Sequence, residues 1–83
     1  MAEYSSPFVA GPGGIMTDDV GVITGELELR SVLAEDGSMR AEVRYEGADE
    51  WYALTGGSCA LKDPEDLSAV HDLLVGVLNR PEG

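Results

Sequence analysis

Histidine and cysteine occur once each in this chain, as His71 and Cys59. Two such ligands are too few for a structural zinc site. A lone cysteine cannot close an intrachain disulfide, and small secreted scaffolds usually need several. That scarcity predicts a reducing, cytoplasmic setting. No apolar run approaches the roughly 20 residues of a membrane span. The first residues lack a basic stretch followed by a long apolar one, so no secretory leader is expected. Bases are scarce too: five Lys and Arg stand against sixteen Asp and Glu, a net charge of −11. Such a charge repels phosphates and anionic membrane surfaces, so neither nucleic acid nor a membrane is the expected partner. It suits solubility, a basic protein partner, or mimicry of a nucleic acid's charge.

What is present is enough to fold. The hydrophobic fraction is 43% of 83 residues, which allows one small domain. A flexible terminus would leave roughly 60 residues for the core, marginal for a monomer. A homodimer or a protein partner is a reasonable expectation on that ground.

The clearest pattern runs from Glu26 to Glu46. Leu27, Leu29 and Leu33 alternate with Glu26, Glu28 and Arg30. After a turn, Met39, Ala41, Val43 and Tyr45 alternate with Arg40, Glu42, Arg44 and Glu46. Period-2 alternation on both sides of a turn predicts a β-hairpin with one buried and one wet face. For both apolar sets to share a face, Leu33 must pair with Met39, Leu29 with Val43 and Leu27 with Tyr45. Glu35-Asp36-Gly37 is then a three-residue loop, with Gly37 in the left-handed position that ends such loops. On the polar face this register sets Arg30 against Glu42 and Glu28 against Arg44. Glu26 opposite Glu46 is the exception, a like-charged pair at the open end.

Around the hairpin the signals are less regular. Residues 1–19, punctuated by Ser5, Ser6, Pro7, Gly11, Pro12, Gly13 and Gly14, show no sustained period and read as a flexible N-terminal segment. Met16-Thr17-Asp18-Asp19 would make an ordinary start, so residues 1–15 look dispensable. The first strand enters at Val20 and runs to about Leu33. Trp51–Thr55 reads as a third strand after the loop Gly47–Glu50, with Tyr45 paired to Tyr52. A four-residue loop places Tyr52 and Leu54 in the core and Trp51 on the polar face beside Arg44, and a loop one residue longer or shorter would swap the two faces. Gly56-Gly57-Ser58 reads as the strand's end, and Cys59-Ala60-Leu61 as a short fourth strand or packed coil.

The helix signal is strong. Asp63 is a good N-cap, Pro64 fits the first turn, and Glu65 and Asp66 add favourable charge there. Leu67, Val70, Leu73, Leu74, Val77 and Leu78 follow at helical spacing, and Pro81 ends the run. Leu67, Leu74 and Leu78 centre the apolar face. Leu73 and Val77 widen it on one side and Val75 on the other, more than one packing surface requires. That excess width predicts a second contact, with a dimer mate, the N-terminal segment or another protein.

Chemistry is harder to find. The carboxylates at Asp18-Asp19, Asp49-Glu50 and Asp63/Glu65/Asp66 read as solvated turns or a helix start, with no calcium-loop spacing. Gly11-Pro12-Gly13-Gly14 lacks the Lys-Ser/Thr of a phosphate loop. Cys59, His71 and Asp72 supply the residue types of a thiol nucleophile and its base. Yet His71 falls near the helix's apolar face and is expected to be a core-edge histidine bonded to backbone. No cofactor is implied. Tyr45, Trp51 and Tyr52 gather at one hairpin end, where an exposed Trp51 would anchor a partner and a covered one would fill a thin core.

The run Val43 to Tyr52, followed by Gly56-Gly57 and Leu67-Ser68-Ala69-Val70-His71, resembles small uncharacterised actinobacterial proteins over about the last 45 residues. That resemblance implies no activity. The expected topology is also similar to that of MbtH-like proteins, which have three strands and a helix. Their Ser-Leu-Trp-Pro motif and other tryptophans are missing here, so their function and residues are not carried over.

Together these readings predict an α+β fold: a three-stranded antiparallel β-meander with one C-terminal helix on its apolar face, over residues 20–81. The expected function is a non-catalytic interaction or adaptor module, contacting protein partners through Trp51, Tyr52, Leu73 and Val77. The alternatives are an acidic nucleic-acid mimic that occupies a basic DNA- or RNA-binding protein, and a small enzyme using Cys59 and His71.

Overall fold

The structure, a computed structural model, describes residues 2–81. Its elements are β1 (Ala2–Thr17), β2 (Gly21–Leu33), β3 (Ser38–Tyr45), β4 (Tyr52–Ala60), a 3-10 turn (Pro64–Asp66) and α1 (Leu67–Leu78). The class is α+β, with an antiparallel sheet and one C-terminal helix. There are four strands rather than three, joined in chain order and closed into a barrel.

The central hairpin has the register its sequence predicts. Leu27 pairs with Tyr45, Leu29 with Val43 and Leu33 with Met39, while Glu28 faces Arg44 and Arg30 faces Glu42. Gly37 closes the turn at φ 89°, a conformation that costs glycine nothing and a side-chain-bearing residue strain. Ala34 and Ser38 flank the turn, the Ala34 N–H donating to the Ser38 carbonyl at 2.8 Å. The odd-numbered face carries the core: Ile23, Leu27, Leu29, Ala41 and Val43 are buried together.

The added strand is β1. Residues assigned from sequence to a flexible segment instead pair with β2 from Ala2 to Thr17. The reason the period failed is a wide bulge. Between the pairs Ala10↔Gly25 and Ile15↔Ile23, the residues Gly11–Gly14 face Thr24 alone. Before the bulge the even residues Phe8 and Ala10 point inward. After it the odd residues Ile15 and Thr17 do. A bulge that inserts an odd number of residues swaps the buried parity, so no single alternation spans the strand. Residues 2–15 are therefore not dispensable to this fold, since Phe8 and Ala10 belong to the main core.

The same device appears in β4, which continues through Gly56-Gly57 to Ala60 instead of ending there. Between Glu42↔Ala53 and Arg40↔Ser58, the residues Leu54–Gly57 face Ala41 alone. Tyr52 pairs with Val43, two residues from the expected Tyr45. The shift is even, so Tyr52 and Leu54 still face the core and Trp51 the polar side. Two glycine-rich bulges give long strands the bends that a small barrel demands.

Closure depends on Asp18 and Asp19. Thr17 pairs with Leu54. Just beyond, the Asp18 N–H donates to the Ala53 carbonyl at 2.9 Å and the Ala53 N–H donates to the Asp19 carboxylate at 2.8 Å. The Thr55 hydroxyl donates to Asp18 at 2.7 Å. These carboxylates, read from sequence as a solvated turn, act as the latch between the first and last strands.

Asp63 caps the helical segment, accepting the Glu65 N–H at 2.9 Å. Leu67 is buried against Leu33 and Met39, and Leu74, Val75 and Leu78 pack on the main core. At the far end the helix fastens to β1. The Val9 N–H donates to Asn79 Oδ1 at 2.9 Å, and the Arg80 N–H donates to the Val9 carbonyl at 2.7 Å.

Candidate functional site

The candidate sites are the Trp51 face of the sheet, the surroundings of His71, and the outer side of α1.

On the polar face, Glu28 pairs with Arg44, and Trp51 lies just before Tyr52, the partner of Val43. The Trp51 ring lies 4.4 Å from the Arg44 guanidinium and 4.2 Å from that of Arg30. Each arginine is held in turn. Arg30 donates through Nε and Nη2 to Glu42 Oε1 at 2.9 and 2.7 Å, and Arg44 donates to Glu28 at 3.0 Å. The Arg44 bond holds the Glu28 carboxyl below its ordinary range. Trp51 therefore covers two neutralised arginines and is half-buried. Its neighbour Tyr52 packs on the core and donates its hydroxyl to Glu50 at 3.2 Å. Burial, then the nearby Glu50 charge, raises the Tyr52 phenol above its ordinary value.

His71 is 3% exposed. Its Nε2 meets the Ser6 hydroxyl and its Nδ1 the Ser31 hydroxyl, both at 2.8 Å. The Tyr4 ring lies against it, centroids 5.9 Å apart. These partners are side chains from β1 and β2, not the backbone groups expected from sequence. In a neutral ring one nitrogen donates and the other accepts, and a hydroxyl can complement either. Desolvation lowers the His71 pKa, with Asp72 opposing the shift. Cys59 lies exposed on β4, opposite Met39. Both ring nitrogens of His71 are thus engaged by serines, and the thiol is not among its hydrogen-bond partners.

The hollow between the start of β1, the β2–β3 turn and Pro64 has a volume of about 290 Å³. Glu35 is its one charged lining residue, beside Ala2, Leu33, Ala34, Gly37 and Pro64. Among the described residues no group of three or more His, Cys, Asp or Glu could hold a metal. No helix among them is long and apolar enough to cross a membrane.

The helix has a different character. His71 and Leu67 face inward, yet Leu73 is 66% exposed and Val77 52% exposed. They stand four residues apart, and Ala69, one turn earlier, is also exposed. Residues at i, i+4 and i+8 share one stripe of a helix. Val75, on the other flank of the apolar arc, packs on the barrel core. So the wide arc read from the sequence divides: one flank is used internally and the other is left open.

The four residues expected to bind a partner do not form one surface. Leu73 and Val77 project from a helix packed on the sheet's core side, and Trp51 covers the opposite, polar side. The residues that sequence reasoning missed are Ser6 and Ser31. Ser31 sits at an odd, inward position of β2, and a polar residue there signals a buried partner.

No protein-family model, no curated protein and no solved structure matches this chain, so its function is read from its own surface.

Proposed function

We propose that this chain is a non-catalytic protein-interaction module that presents the outer stripe of α1 to an apolar groove on a partner. The observation that carries this is the exposure of Leu73 and Val77 on one side of a helix whose Leu67, Val70, Leu74, Val75 and Leu78 are packed. A helix side read at i and i+4 is a common mode of recognition in grooves. Trp51 is the weaker anchor, because its ring already lies on two guanidiniums. The net charge of −11 favours a partner with basic residues around that groove.

Leu73→Asp and Val77→Asp test the reading. Both sites are exposed, so folding stability should change by no more than about 0.5 kcal/mol. Capture of the partner from the native host should fall at least about tenfold, a loss near 1.4 kcal/mol of binding. Unchanged capture by stably folded variants would place the surface elsewhere.

A further inference from the structure

The barrel is closed at one end of its seam and open at the other. Among the described residues β1 and β4 pair only at Thr17↔Leu54, beside the Asp18–Asp19 latch. Away from that point each strand has a free edge, and the two edges are treated differently. On β1, Asn79 and Arg80 satisfy both backbone groups of Val9, and Pro7 has no N–H to offer. On β4, Thr55, Gly56, Ser58, Cys59 and Ala60 are exposed.

Strand alternation tells which groups point outward. The Leu61 N–H donates to the Gly37 carbonyl at 2.9 Å, toward the β2–β3 turn. Cys59, two residues back and opposite Met39, turns its backbone groups the same way. Ser58 and Ala60 therefore direct their N–H and C=O groups away from β3. An open edge is a template for another strand, and proteins usually block it with charge or proline. Neither occurs between Thr55 and Leu61, although the chain carries sixteen acids.

We propose that this edge pairs with the same edge of a second copy, forming an antiparallel β4–β4 dimer about a two-fold axis at Cys59. In the register that pairs outward groups, Ser58 of each copy meets Ala60 of the other, and the two Cys59 residues stand opposite in a non-hydrogen-bonded position. Cα atoms in such a position are about 4.5 Å apart, inside the range that a disulfide spans. Self-pairing here places no like charges opposite one another, which an edge rich in acids would. The same register brings Lys62 of each copy to Gly56 of the other, next to Thr55 and the Asp18 carboxylate that Thr55 holds. Lys62 makes no salt bridge within its own chain among the described residues. The small side chains of the segment allow close approach. The surface is separate from the α1 stripe, so the proposal stands or falls independently of the partner reading.

Sedimentation of the full chain over micromolar to millimolar concentrations tests it, with mild oxidation as a second readout. The expected result is a concentration-dependent dimer that oxidation locks through Cys59. Ser58→Pro, which removes an outward N–H without costing an intrachain bond, should weaken the dimer by about tenfold or more. Should Ser58→Pro fail to fold, Lys62→Glu on the exposed loop carries the test, weakening the dimer and slowing the crosslink. A chain that stays monomeric throughout would overturn the proposal. So would a dimer that Lys62→Glu and a folded Ser58→Pro leave intact, or one in which oxidation forms no Cys59 crosslink.

Discussion

His71 and Ser31, forty residues apart in the chain, meet at 2.8 Å inside the protein, and Ser6 completes the bridge on the ring's other nitrogen. One side chain thus ties α1 to both β1 and β2. Ser31→Ala leaves a buried ring nitrogen without its partner and should cost about 1–3 kcal/mol in urea unfolding.

The same bridge sets a pH dependence. Burial lowers the His71 pKa from its ordinary 6.5, so the unfolded chain takes up this proton more readily than the folded one. Its contribution is therefore fully present above 6.5 and is lost as pH falls from there toward the lower folded value. Stability should decline as pH falls below about 6.5. His71→Gln should flatten that decline, and a slope that persists in this variant would assign it to other groups.

The β1 bulge gives a contrast between neighbouring glycines. Gly14 has φ +67°, and a Cβ there would lie 2.5 Å from Val22 Cγ1 and 2.7 Å from the Ile23 carbonyl oxygen. A Cβ at Gly13 meets nothing within 4 Å. Gly14→Ala should destabilise by about 2 kcal/mol or more, through strain and overpacking. Gly13→Ala should be close to neutral. Thermal unfolding of the pair measures the difference.

The latch can be tested at one atom pair. Asp19→Ala removes the acceptor of the Ala53 N–H and should cost about 0.5–1.5 kcal/mol, the net worth of one hydrogen bond. Hydrogen exchange at Ala53 should accelerate by more than exchange in the β2–β3 hairpin. Equal acceleration in both would show that closure and the hairpin open as one unit.

The hairpin was legible because local turn chemistry, alternation and charge pairing all favoured the same register. Gly37, Arg30–Glu42 and Glu28–Arg44 each pointed to it. β1 was not legible, since Gly11–Gly14 exchanges the inward parity from Phe8 and Ala10 to Ile15 and Thr17. The continuation of β4 was hidden by the same kind of insertion at Leu54–Gly57, where only glycine content was visible, and the Val43↔Tyr52 pairing by a β3–β4 loop longer than the four residues expected. His71 was placed near the core by helical geometry. Its serine partners were out of reach, because one of them lies on the strand that the bulge concealed.

Contact of a partner with the outer side of α1, rather than with the Trp51 face, is tested most directly by the methyl and indole resonances of the full chain, followed as the captured partner is titrated in. The expected result is that Leu73 and Val77 methyl signals shift with saturation, while the Trp51 indole, already seated on Arg30 and Arg44, stays in place. Shifts confined to Trp51 and Tyr52, with Leu73 and Val77 unmoved, would contradict it.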